Sequence, residues 1–396
     1  MHSWLSSHLN QPTNSNSPTA HPVIPPSSSP AMPGKVIIIG GGCFGLSTAL
    51  ELVKGEYKGH GNLITVLDRS STPPAADAAS SDYNKIVRQD YCDETWAKLA
   101  SEAIREWSTP EWAPYFAQSG VLVLSQTSHA VGAAYVRNAY NVNSHPSMAL
   151  DGRLAVNLPT PSAIKGVFGN DALSTAEFTN EVAYINPQSG WALARRAMDM
   201  VCEQVRKAGV RVMGGEVDSL MYDSKGGKKD VTGVRLVDGR SFSADKVVVA
   251  AGSWSAKFLP EIGKELLASG QAVAHIQLTP EEAAEYAHVP VVFRMDTGFY
   301  IFPPTPDGIV KFAIHGPGWI NPTSHNGHPI PSIPKEGHYR LPQEAIQALK
   351  INLANTYPEL AKKEWFETRL CWCVVLPSLF TPRNPLKKQV LRVPLE

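Results

Sequence analysis

At 396 residues the chain is long enough for two domains rather than one simple core. Lys+Arg and Asp+Glu both number 36, so no net field draws it to nucleic acid or to an acidic membrane. No apolar run approaches the roughly 18–20 residues of a spanning helix. No signal-peptide pattern opens the chain, and an odd count of five cysteines argues against a disulfide framework. A cytoplasmic protein with no membrane or nucleic-acid partner is expected.

Residues 1–34 are expected to form a disordered tail. Their stretch QPTNSNSPTAHPVIPPSSSPAMPG is rich in Pro, Ser, Thr and Asn and buries too little apolar surface to offset ordering entropy. Met32 is an alternative start. Order begins at KVIIIGGGCFGLSTALELV, where Val36–Ile39 reads as a buried parallel strand. Gly40, Gly42 and Gly45 then fit G-x-G-x-x-G. The first allows the tight turn, the second lets a pyrophosphate approach the backbone, and the third lets helix and strand pack closely. Leu46, Ala49, Leu50 and Val53 follow at helical spacing, which points the helix N-terminus at the phosphates. NLITVLDR supplies a second strand, ending in Asp68 where an acid takes the ribose hydroxyls. A dinucleotide site is predicted, nicotinamide or flavin.

Further along, Trp96, Leu99, Ala103, Ile104 and Trp107 form an apolar stripe expected to pack in the core. SGWALARRAMDMVCEQVRKAG places Trp191, Ala194, Met198, Val201 and Val205 on one helix face, with Gly209 as its cap. VRVM reads as a strand. GVRLVDGRSFSADKVVVAAGSW reads as a hairpin on Asp238-Gly239 feeding a buried strand, Val247–Ala250, that ends in Ala251-Gly252-Ser253-Trp254. GFYIFPPTPDGIVKFAIHGPG reads as two strands around a Pro-Asp-Gly turn. A nucleotide fold interrupted over a long stretch and then resumed suits a flavoprotein with its substrate domain inserted into the FAD domain.

At SSDYNKIVRQDY the chain resembles the monomeric sarcosine oxidase and fructosyl amino acid oxidase (amadoriase) family of FAD-dependent amine oxidases. The likeness runs from Lys35 to about Trp372, through NKIVRQDY, AYINPQSGW, VVVAAGSW, GFYIFPP and GIVKFAIHGPG. It implies an α/β fold, with an FAD-binding Rossmann-like domain of the glutathione-reductase type over 35–110, 186–262 and 370–396. A mixed-sheet substrate domain over 111–185 and 263–369 is interleaved with it. The resemblance implies a monomer that holds FAD through Gly40, Gly42, Cys43, Phe44, Gly45, Asp68, Arg69, Ser80, Lys85, Val217, Gly252 and Trp254. Lys85 and Arg88 are placed near the substrate carboxylate, Tyr300 on the substrate side, and Lys311 over the flavin as the oxygen-activating cation. His315 matches sarcosine and pipecolate oxidases, where fructosyl amino acid oxidases usually carry an acid. A compact secondary amine is therefore expected as substrate, oxidised to an imine with O₂ reduced to H₂O₂.

TRLCWCVVLPSLF raises the question of Cys371 and Cys373. Cys-x-Cys without partners is a poor zinc site, and no metal is expected. Arg369-Leu370-Cys371-Trp372 is similar to the R-x-C-W string that carries the family's covalent flavin tether, which makes Cys371 the candidate. Cys373 is expected to face away from the ring. A buried apolar cysteine is the alternative. Beyond this string the family's late glycine-rich stretch, resembling G-G-S-G-H-G-F-K, has no counterpart in CVVLPSLFTPRNPLKKQVLRVPLE. A truncated flavin lid is the expectation, with an impaired flavoprotein-like chain as one alternative and a flavin dehydrogenase using another acceptor as a second. The closing Pro394-Leu395-Glu396 does not resemble the peroxisomal tripeptide expected for a full-length form.

Overall fold

The computed structural model describes residues 32–170, 173–225, 228–264, 266–325, 328–331, 340–375 and 391–392. The tail up to residue 31 and nearly all of the closing stretch after Val375 lie outside the described residues.

Four β-branched residues in a row, Val36–Ile39, are all buried and form the centre of a parallel sheet. Lys246–Val249 pairs on one side and Ile64–Asp68 on the other, with Arg211–Gly214 beyond it. Val36 and Ile38 pack in one apolar cluster and Ile37 and Ile39 in another, so both faces of the strand are covered and it tolerates a continuous apolar run. The helix Cys43–Lys54 buries Gly45, Leu46, Ala49, Leu50 and Val53. That face packs on Met198, Val201, Cys202 and Val205 of the helix Ala194–Lys207. Each large aliphatic side chain buried there contributes on the order of 1.5–3 kcal/mol. Gly209 ends the second helix at φ +90°, a conformation that favours glycine. Trp191 is not on this helix. It lies in the strand Gly190–Ala192, paired on both sides with Lys85–Val87 and Phe116–Ala117.

The second layer is a large mixed sheet. Leu267–Gln277 pairs antiparallel with Ile309–Ile314 and, from Leu267 to His275, with Glu367–Val375. Phe299–Ile301, Val291–Arg294, Val121–Gln126 and Glu181–Asn186 continue it outward from Ile309–Ile314. The segment between Asp68 and Lys85 connects the two layers. Its Ala78 bridges Trp372, and the Trp372 amide donates to the Asp77 carbonyl at 3.3 Å. That contact brings Lys85 onto the strand that carries Cys371.

Of the expected stripe along the helix Glu94–Trp107, Ile104 is buried as expected, but Trp96, Leu99 and Ala103 are exposed. Trp96 is 61% exposed and Leu99 55%, while Ala97, Ser101 and Ile104 face inward. The periodicity fits either face, and the small side chains let the helix lie close to its neighbours on theirs.

Candidate active site

The glycine turn has the geometry a phosphate needs. Gly40 sits at φ +108°, and a Cβ there would lie 2.3 Å from the Ala250 carbonyl oxygen. A Cβ on Gly45 would lie 1.8 Å from the Gly40 oxygen, so this glycine seats the helix on the turn. Gly42 caps the helix without a side chain, and a Cβ there would meet only Ser80, at 3.1 Å from Oγ. The Cys43 amide donates to that same Oγ at 2.9 Å. Asp68 accepts from the Gly41 and Ser70 amides, both at 2.8 Å, and so also holds the turn in shape. Arg69 pairs with Asp77 and lies 4.0 Å over the Trp254 ring.

These groups line one cavity of about 870 Å³. Gly40, Gly42, Cys43, Phe44, Asp68, Arg69, Ser80, Lys85, Val217, Gly252 and Trp254 all border it, while Gly45 lies behind the turn. The volume is at the upper end of ligand pockets. A glycine cradle open to the cavity and a helix N-terminus with no acid in its first turn fit a dinucleotide.

Lys85, on the cavity wall, belongs to a buried charge cluster whose other members, Asp82, Lys311 and Arg369, do not line the cavity. Lys311 is fully buried, and its Nζ donates to Asp82 Oδ2 at 2.6 Å and to the Asn84 carbonyl at 2.7 Å. Lys85 Nζ reaches the same Oδ2 at 2.7 Å, and Arg369 approaches Oδ1 at 3.5 Å. One carboxylate thus faces three cations. Burial opposes ionisation of Asp82, but Lys311, Lys85 and Arg369 hold its carboxyl far below the usual range. Burial and Lys85 outweigh Asp82 at Lys311 and pull its ammonium down to about 8. Burial alone would lower Lys85 too, yet Asp82 holds it well above its ordinary value. The Tyr300 phenol is pushed up by burial and stays neutral; its ring lies 5.7 Å from Lys311 Nζ and that of Phe302 4.9 Å.

Arg88 donates to the Asp90 carbonyl and to Tyr135 Oη at 3.4 Å, and lies over the Tyr91 and Phe293 rings at 4.4 and 5.2 Å. His315 follows the strand Ile309–Ile314 and is solvent-exposed as a residue. Partial desolvation of its ring, with Lys85 and Arg88 nearby, lowers its imidazole and so favours the neutral form.

The two cysteines overturn one expectation. Cys371 and Cys373 do not face apart: their sulfurs are 3.8 Å from each other, because residues two apart on a strand share a face. Lys85 Nζ is 3.8 Å from Cys371 Sγ, and Cys373 borders the cavity. Sequence reasoning passed over Asp82 and assigned Arg369 no role. The spacing of Asp82 three residues before Lys85 was the available signal.

A glycine turn and a helix N-terminus on a cavity that Lys85 also borders have the layout of a dinucleotide-dependent oxidoreductase. A family model described as FAD dependent oxidoreductase matches residues 35–392, and the chain belongs to that family. It is 28% identical over 358 residues to an L-saccharopine oxidase of Schizosaccharomyces pombe, covering 85% of this chain and 79% of that protein. It is also 28% identical over 310 residues to an amino acid oxidase of Aspergillus fumigatus, covering 72% of this chain and 61% of the relative. The solved structure of a fructosyl amine:oxygen oxidoreductase (Amadoriase I) from Aspergillus fumigatus superposes with a TM-score of 0.75 at 25% identity, over 92% of this chain and 82% of that one. No described helix is long and apolar enough to cross a membrane.

Proposed function

We propose that the enzyme oxidises the C–N bond of a small secondary amine, or of an N-substituted or cyclic amino acid, to an imine, with O₂ reduced to H₂O₂. The observation that carries this reading is the excess of positive charge around Asp82, where three cations share one buried carboxylate. A buried surplus of this sign calls for an anion, and an amino-acid carboxylate supplies one. When bound, FAD accepts the two electrons.

The chain's own residues then have these parts. Gly40, Gly42 and the helix N-terminus hold the pyrophosphate, with Arg69, Val217 and Trp254 beside it. Lys85 and Arg88 orient the substrate carboxylate. Tyr300 and neutral His315 bound the substrate, and a neutral imidazole can accept a hydrogen bond from an ammonium. Lys311 is a fixed cation in a dry setting, where it stabilises negative charge developing on oxygen. Cys371 is the tether. In this reading 35–110, 186–262 and the strand from residue 370 hold the cofactor, and 111–185 with 263–369 hold the substrate. The protein acts as a monomer.

The test is a substrate panel with peroxide detection. N-methyl and cyclic amino acids should give oxygen-dependent peroxide faster than fructosyl amino acids. Faster turnover of the fructosyl compounds would remove His315 as the basis of specificity, and turnover with a dye but not with O₂ would make the protein a dehydrogenase.

A further inference from the structure

We propose that Cys373 is a positioning residue whose thiol donates to the Cys371 sulfur and holds it as a thiolate, a nucleophile for soft electrophilic carbon. The proposal rests on the reading of Cys371 as the flavin tether and adds a residue to it.

The argument starts from the strand Glu367–Val375. Its two-residue period puts both sulfurs on one face, opposite Gln271 and Ser269 of the neighbouring strand. At 3.8 Å the Sγ–Sγ separation suits a thiol donating to a thiolate. Cys371 is only 2% exposed and packs against Val273 and Ala313, with Ala79 and Tyr300 alongside. An isolated thiolate in such a setting would be disfavoured, because burial penalises the charged form. Two contacts reverse that: the Cys373 sulfur on the same strand and the Lys85 ammonium at 3.8 Å from the next segment.

Which sulfur carries the charge follows from their surroundings. Lys85 lies against Cys371, with Arg369 on the same strand; Asp82 opposes them, and Tyr300 remains neutral. Lys311, from the strand Ile309–Ile314, is a further cation within electrostatic reach. The hydrogen bond from Cys373, ahead of the charge of Lys85, brings the Cys371 thiol well down, while the same contact and burial push Cys373 up and keep its proton. Cys373 is the partly accessible member and borders the cavity, so it stands between Cys371 and the large space beyond. The pair is therefore asymmetric: Cys371 is the nucleophile and Cys373 the donor that tunes it.

The experiment uses the full chain in flavin-free form, expressed under riboflavin limitation, and iodoacetamide as the electrophile. The Cys371 sulfur forms an S–C bond, the C–I bond breaks, and iodide leaves with the electron pair. Peptide mass spectrometry follows the rate at Cys371 across pH. In the wild type the rate should reach half its plateau well below the ordinary thiol range. Cys373→Val keeps the volume and removes the donor, and should raise that midpoint by about one pH unit or more. Cys373→Ser keeps a donor and should move it much less. Should the valine variant not fold, Cys373→Ala against Cys373→Ser carries the same comparison. A midpoint unchanged by loss of the donor, or moved as far by serine as by valine, overturns the proposal. Acid-stable flavin, measured separately on flavin-replete chain, reports the tether. A stationary midpoint with flavin fixed at Cys371 refutes the donor role alone. A shifted midpoint with no fixed flavin supports the donor and removes the tether.

Discussion

Replacing Asp82 by Asn removes one charge and keeps the shape, which isolates what that charge does. Asp82 and Lys311 are both fully buried at the side chain, 2.6 Å apart. At an effective dielectric of about 20 their Coulomb attraction is about 6 kcal/mol, much of which offsets desolvation. Removing one partner of such a pair strands the other, and the loss should be about 3–5 kcal/mol. Against a total stability of about 5–15 kcal/mol, that is a large fraction. Urea unfolding followed by tryptophan fluorescence measures it. Lys311→Met should cost less, because Lys85 and Arg369 still compensate Asp82. The double variant should be less damaged than the sum of the two by about 1–3 kcal/mol, since the second change removes the stranded charge. A loss below about 1 kcal/mol for Asp82→Asn, or strict additivity in the double variant, would refute the assignment of Asp82 as the centre of the cluster.

Lys311 carries its charge below about pH 8 and loses it above, so reoxidation by O₂ in stopped flow should slow as pH rises through that value. Lys311→Met should be slow and flat with pH in that step while flavin reduction changes far less; equal damage to both half-reactions would make the lysine structural. Gly42 has an ordinary extended backbone, φ −82° and ψ −170°, so Gly42→Leu should fold yet fill the cradle and lose flavin absorbance. Flavin retained in full by that variant would move the phosphate elsewhere. Acid precipitation of the wild type should leave flavin in the pellet and Cys371→Ala should release it, whereas flavin freed from both would leave Cys371 a buried thiol.

What the sequence determined is what depends on neighbours in the chain. The run Val36–Ile39, the three glycines and the helix after them are local patterns, and each carries its own conformational reason. The same holds for the hairpin on Asp238-Gly239 and for Gly209 at the end of its helix. The segment around Lys85 and the string at Cys371 were also visible as pieces. Their meeting was not, because 286 residues separate Lys85 from Cys371, and 229 separate Asp82 from Lys311. The pairing of Asp82 with Lys85 is local, but no periodicity reports that the distant Lys311 and Arg369 will share the same carboxylate. The helix Glu94–Trp107 shows the same limit in another form: its pattern marks Ile104, but only the packing around it selects Ala97 and Ser101 over Trp96 and Leu99. The cysteines differ, since a period of two already places both sulfurs on one side of a strand. Only the tertiary structure decided what that side faces, because Lys85 reaches Cys371 from a separate segment that Ala78 docks against Trp372.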